Sequence, residues 1–152
     1  MSNGRRISTG VLGLDEIIEG GLIEGRVIVV SGAPGAGKTT LGVQFLRDGA
    51  KRGENGIYLS ILEDPRVVVK DQSAYDPDIT RLYKEKKLLF IDAGPLTIGE
   101  LMDMGKEEET DEASQPVSPT YMLKRVAPLI DKFDVKRLVI DSALSLRFDY
   151  DE

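Results

Sequence analysis

Residues 32–39 read Gly-Ala-Pro-Gly-Ala-Gly-Lys-Thr and satisfy G-x-x-x-x-G-K-[ST] at each required position. The chemistry this spacing serves is anion recognition by backbone. Successive N–H groups must turn inward around a phosphate, and side chains would block that approach. Gly32, Gly35 and Gly37 remove the obstacle and admit the mixed-sign backbone angles required. The Lys38 ammonium can neutralise terminal phosphates, and the Thr39 hydroxyl can ligate Mg2+. A helix following the loop would point its positive end at the anion. The expected ligand is ATP or ADP with Mg2+, held by Gly32, Ala33, Pro34, Gly35, Ala36, Gly37, Lys38, Thr39 and Thr40.

Two further carboxylates complete the candidate chemistry. Leu138-Val-Ile-Asp141 is an apolar strand ending in an acid, the form of a Walker B element, whose aspartate binds Mg2+ directly or through its water. Lys87-Leu-Leu-Phe-Ile-Asp92 has the same form, so Asp92 competes. Asp141 is favoured by its place roughly a hundred residues after the loop and by the Ser142-Ala-Leu that follows. Glu63 is the candidate general base. It ends the strand after the phosphate-loop helix, within reach of a water in line with the terminal phosphate. Its neighbour Asp64 is expected to cap the next helix instead, with Pro65 at the first helical position.

The composition narrows the options. There is no histidine and no cysteine, so acid–base work falls to carboxylate, lysine, tyrosine or water, and thiol chemistry is excluded. The net charge of −6 is local: residues 92–115 carry eight carboxylates against Lys106, and the remainder sums to +1. No basic stripe marks a nucleic-acid footprint, so nucleic acid remains a conceivable partner that this segment does not support. No run reaches the ~18–20 apolar residues of a membrane span, and the start lacks the apolar stretch of a signal peptide. With the need for nucleotide, this leads to a cytoplasmic expectation.

The elements that must position these groups alternate. Thr9–Leu22 reads as a short helix entered and left through glycine. Arg26-Val-Ile-Val-Val-Ser31 reads as a buried parallel strand, and a helix runs from Lys38 to about Lys51. Strand Gly56–Leu62, a helix from Pro65, a short helix within 76–86 and strand Lys87–Asp92 follow. Thr97-Ile-Gly-Glu100 fits a capping box, yet residues 94–118 as a whole read as an acidic, mobile insertion. Ser118-Pro119 opens a helix with Met122, Val126, Leu129 and Ile130 on one side, and Arg137–Asp141 is the last strand. Such alternation predicts one α/β domain over 1–152, a mainly parallel sheet with helices on both faces and catalytic groups at the strands' carboxyl ends.

Taken together these elements resemble the RecA-like P-loop ATPases, most closely the KaiC-type branch. The resemblance runs from Ile7 to Leu146. It includes Thr9-Gly10, Gly13-Leu14-Asp15, Gly20-Gly21-Leu22, the phosphate loop, Gln44-Phe45-Leu46, Tyr58-Leu59-Ser60, Glu63, Pro65 and Asp141-Ser142. It implies a RecA-like core, Mg-dependent ATP hydrolysis, and a homo-oligomeric ring or filament with nucleotide at subunit interfaces. Two departures bear on activity. Leu62-Glu63 stands where the family often carries paired glutamates, which implies slow turnover. The chain also ends soon after the Walker B strand, so the core is expected to be a truncated one, without the family's later sensor and interface positions. The alternative is a module that binds ATP as an assembly or regulatory signal and hydrolyses it negligibly. A GTPase is disfavoured because no Asn-Lys-x-Asp sequence occurs.

Overall fold

The computed structural model of the chain describes residues 4–94 and 119–142. In chain order the elements are β1 (Arg6–Ile7), α1 (Leu14–Ile17), β2 (Leu22–Ile23), α2 (Lys38–Lys51), β3 (Asn55–Ser60), α3 (Pro65–Tyr75), α4 (Asp78–Lys84), β4 (Leu88–Asp92), α5 (Pro119–Lys132) and β5 (Val135–Asp141). The main sheet has the order β4-β3-β5, with both pairings parallel. The chain therefore leaves β3 for one side and returns through α5 to the other. Ligand sites of open α/β sheets form at the carboxyl ends of strands beside such a reversal.

Burial follows from strand alternation. Leu88 and Phe90 of β4 join Tyr58 of β3 in a cluster with Val43, Leu46 and Ala50 of α2, Val68 of α3, and Ile79 and Leu82 of α4. Ile57, Leu59 and Ile61 face the other way, against Met122 and Val126 of α5. Helices thus cover both faces, as the alternating pattern requires. Fully buried Leu46, Ile57 and Leu88 each contribute about 2 kcal/mol by leaving water. The expected face of α5 is the observed one: Leu129 and Ile130 pack partly buried beside Met122 and Val126. Asp64 caps α3 by accepting from Arg66 N–H, with Pro65 in the first turn.

Between Val135 and Arg137 the β3–β5 register shifts by one residue at Asn55/Gly56. Such a bulge changes which face the following side chains take. It allows Val135 and Ile140, five positions apart, to pack in the same cluster, and it turns Arg137 towards α2. Arg137 is buried there and bonds Glu54, the Ser8 carbonyl and the Phe45 carbonyl at 2.7–2.9 Å. Its guanidinium also lies 4.6 Å from the Phe45 ring centroid. Gly49 lets it in, since a Cβ at that position would collide with the guanidinium. One side chain thus ties the N-terminal segment, α2 and the entry to β3 onto β5. Arg137→Met is expected to cost about 3 kcal/mol, because it strands a partly buried acid and two carbonyls. Urea unfolding should show a lower midpoint with an unchanged slope.

Two expectations need correction. Val27–Ser31 was expected as a buried strand. Among the described residues it pairs with no neighbour, and Val27 and Val29 are 93% and 82% exposed. β-Branched residues favour extended backbone, but a strand exists only where another edge receives its N–H and C=O groups. The Thr9–Leu22 region is also more divided than one helix. α1 spans only Leu14–Ile17, and β1 and β2 form a small antiparallel pair, Arg6 opposite Ile23 and Ile7 opposite Leu22. The expected capping box at Thr97–Glu100 and the acidic insertion lie outside the described residues, apart from Gly94.

Candidate functional site

The loop of residues 32–37 is exposed and leads directly into α2. Gly35 and Gly37 have φ of 77° and 86°, the left-handed region that a side chain disfavours. Gly37 is the N-cap of α2, so the helix begins at Lys38 with its amino end at the loop. That end carries unpaired N–H groups and partial positive charge. Lys38 Nζ donates to the carbonyls of Gly32 and Ala33, each at 2.9 Å. The loop thus closes on its own lysine, whose ammonium lies back over the start of the loop.

Thr39 faces the sheet. Its Oγ1 donates to Asp141 Oδ2 at 2.7 Å, across 102 residues of sequence. α2 lies along β5 closely enough that a Cβ at Gly42 would fall 2.9 Å from Val139 Cγ1, and this close approach is what brings the two groups together. Asp92 ends β4, on the opposite side of β3 from β5. It is exposed, and its Oδ1 accepts from Gly94 N–H at 2.7 Å in a local turn. The structure therefore joins Asp141 to Thr39 at the start of α2, whereas Asp92 ends a strand two positions across the sheet from β5. Thr40 points to α3, where Gln72 Nε2 donates to its hydroxyl at 3.4 Å.

Glu63 follows β3 in an exposed turn before α3. The buried Ser60 hydroxyl donates to its backbone carbonyl at 2.5 Å, which anchors the turn. Strand register brings the acids to the same end: Ser60 pairs with Asp141 on one side and Asp92 on the other.

Tyr58 belongs to this constellation, although the sequence reading gave it no chemical role. Its hydroxyl donates to Asp141 Oδ2 at 2.5 Å, so Thr39 and Tyr58 converge on one oxygen. Burial, followed by this hydrogen bond and the charges of Asp141 and Glu63, pushes the phenol well above its ordinary pKa, so it stays a neutral donor. The available signal was spacing. Tyr58 precedes Ser60 by two, hence shares its face of the strand, and a polar tip on an otherwise apolar run needs a partner.

The arrangement offers hard oxygen donors, one ammonium and a helix amino terminus around an open loop. Among the described residues no group of three or more His, Cys, Asp or Glu side chains could hold a metal ion. No described helix is long and apolar enough to cross a membrane.

Comparison with known proteins shows the family of the chain. The family model for the KaiC ATPase matches residues 7–152. A UPF0273 protein of Thermotoga maritima is 34% identical over 144 residues, covering 93% of this chain and 57% of its own length. A UPF0273 protein of Pyrococcus horikoshii is 35% identical, covering 93% of this chain and 56% of its own. The circadian clock oscillator protein KaiC of a Picosynechococcus strain is 32% identical over 97% of this chain and 27% of its own length. The chain thus spans about half the length of the UPF0273 proteins it matches, and less of the clock protein.

Proposed function

This chain belongs to the KaiC ATPase family of RecA-like fold, and from that premise we propose that it binds Mg-ATP at residues 32–40 and hydrolyses it slowly. The observation that carries this reading is the Thr39–Asp141 hydrogen bond. A hydroxyl can give its proton to a carboxylate while its lone pair ligates a cation, so Thr39 and Asp141 would together hold the Mg2+ expected with the nucleotide. When bound, Mg2+ neutralises charge on the phosphates. Lys38 would exchange the Gly32 and Ala33 carbonyls for phosphate oxygens. Glu63 would take a proton from water as its oxygen bonds to the γ-phosphorus. The bond from that phosphorus to the β–γ bridging oxygen breaks, and ADP leaves with the electron pair.

The same reading makes residues 1–152 a single, partial ATPase domain working on cytoplasmic ATP. It also makes the protein a ring or filament of identical copies. Exposure of loop residues 32–37 supports this, because a neighbouring copy can close the nucleotide from the open side. A second reading, an ATP-bound assembly or regulatory module with negligible turnover, draws on the exposure of Glu63. A base in contact with solvent is poorly held for catalysis unless a partner orders it.

The two acids provide the test. Asp141→Asn should reduce Mg2+-dependent phosphate release at least about tenfold more than Asp92→Asn, the range for removing a group that holds a metal or its ligands. Both variants must keep the parent's circular dichroism. A larger loss in Asp92→Asn would transfer the metal role to β4.

A further inference from the structure

Resting on the Mg-ATP reading of the same site, we propose that the Tyr58 hydroxyl is a positioning group for the cation, acting through Asp141. Tyr58 is 1% exposed, and its ring packs 5.4 Å from that of Phe90 in the cluster formed with Val43 and Leu46. That packing fixes the ring independently of its hydroxyl. Phenylalanine would fill the same volume without the desolvation penalty of a buried O–H. What the hydroxyl adds is a bond to Asp141 Oδ2 at 2.5 Å.

The geometry explains why a second donor matters. Thr39 sits at the start of α2, beside an exposed loop that must admit and release nucleotide. A carboxylate held only by Thr39 would be held by a group that shares the ligand's motion. Tyr58 instead stands on the central strand, between β4 and β5. Because both donors meet at the same oxygen, the core fixes the carboxylate's orientation before a ligand arrives. Outer groups that orient metal-binding carboxylates in this way typically influence affinity by about 10–100-fold when removed.

Calorimetric titration of ADP and ATP into the full chain, in EDTA and in excess Mg2+, tests this on the parent, Tyr58→Phe, Asp141→Asn and the double variant. Tyr58→Phe should keep the parent's circular dichroism and its metal-free affinity within about twofold, while the tightening produced by Mg2+ falls about tenfold. In the Asp141→Asn background the same substitution should add less than about twofold, because the partner through which it acts is gone. Three results would overturn the proposal: an undiminished Mg2+ effect in Tyr58→Phe, equal losses with and without metal, or full additivity in the double variant. If Tyr58→Phe does not fold, Tyr58→Met, which keeps an apolar group of similar reach, enters the same comparison. A parent whose nucleotide affinity ignores Mg2+ would instead overturn the Mg-ATP reading, and this inference with it.

Discussion

Lys38→Ala is expected to weaken ATP binding about 100-fold or more. The lysine supplies the side-chain cation of the loop, and truncating one partner of a hydrogen-bonded charge pair costs about 2–5 kcal/mol, where ~2.7 kcal/mol is already 100-fold. The structure adds a reason beyond charge. Lys38 Nζ bonds two loop carbonyls, of Gly32 and Ala33, so its removal also loosens the loop. The N–H groups that should receive phosphate would then have to be ordered by the ligand. Calorimetric titration checks this, and a folded Lys38→Ala protein with the parent's affinity would reject residues 32–40 as the nucleotide site. Lys38→Arg is a useful companion. It keeps the charge but not the compact ammonium geometry, and should recover only part of the loss.

Glu63→Gln is expected to leave ATP bound and uncleaved. General-base catalysis typically contributes about 10²–10⁴-fold, and the amide keeps the shape while removing the proton acceptor. No histidine exists to substitute, and the turn carrying Glu63 is anchored by Ser60 through the backbone, not through the carboxylate, so the substitution should not disturb the fold. The measurement is phosphate release at saturating Mg-ATP. It is made on the 152-residue chain and on the assembled protein, since the chain spans about half the length of its UPF0273 relatives. Slow release from the assembly and little from the chain alone is the expected pattern. Equal rates for parent and Glu63→Gln would remove Glu63 from catalysis. Tight binding and assembly with no detectable release from the parent would establish the nucleotide-gated module instead.

Much of this protein was legible along the chain because its determinants are local. A phosphate loop depends on glycines at fixed offsets. A capped helix start depends on Asp64 and Pro65. The β3 and β4 strands depend on short apolar runs, and the α5 face on Met122, Val126, Leu129 and Ile130 at helical spacing. Each is set by neighbours within a few residues, so α2 and β5 lie close to where pattern places them, and the KaiC-type resemblance carried by these motifs agrees with the family match. What tertiary structure decided was every relation across distant segments. Asp92 and Asp141 end runs of the same form, and only the strand order β4-β3-β5 puts one of them against Thr39. Arg137 appears as an ordinary charge in a strand until the bulge turns it inward onto Glu54 and Phe45. Val27–Ser31 has the composition of a core strand yet is exposed and unpaired among the described residues. Composition sets the conformation a segment prefers, whereas burial and pairing depend on which surfaces the rest of the fold brings to it. Tyr58 shows the same division: its strand was evident from sequence, but its bond to Asp141 exists only because two strands 83 residues apart lie in register.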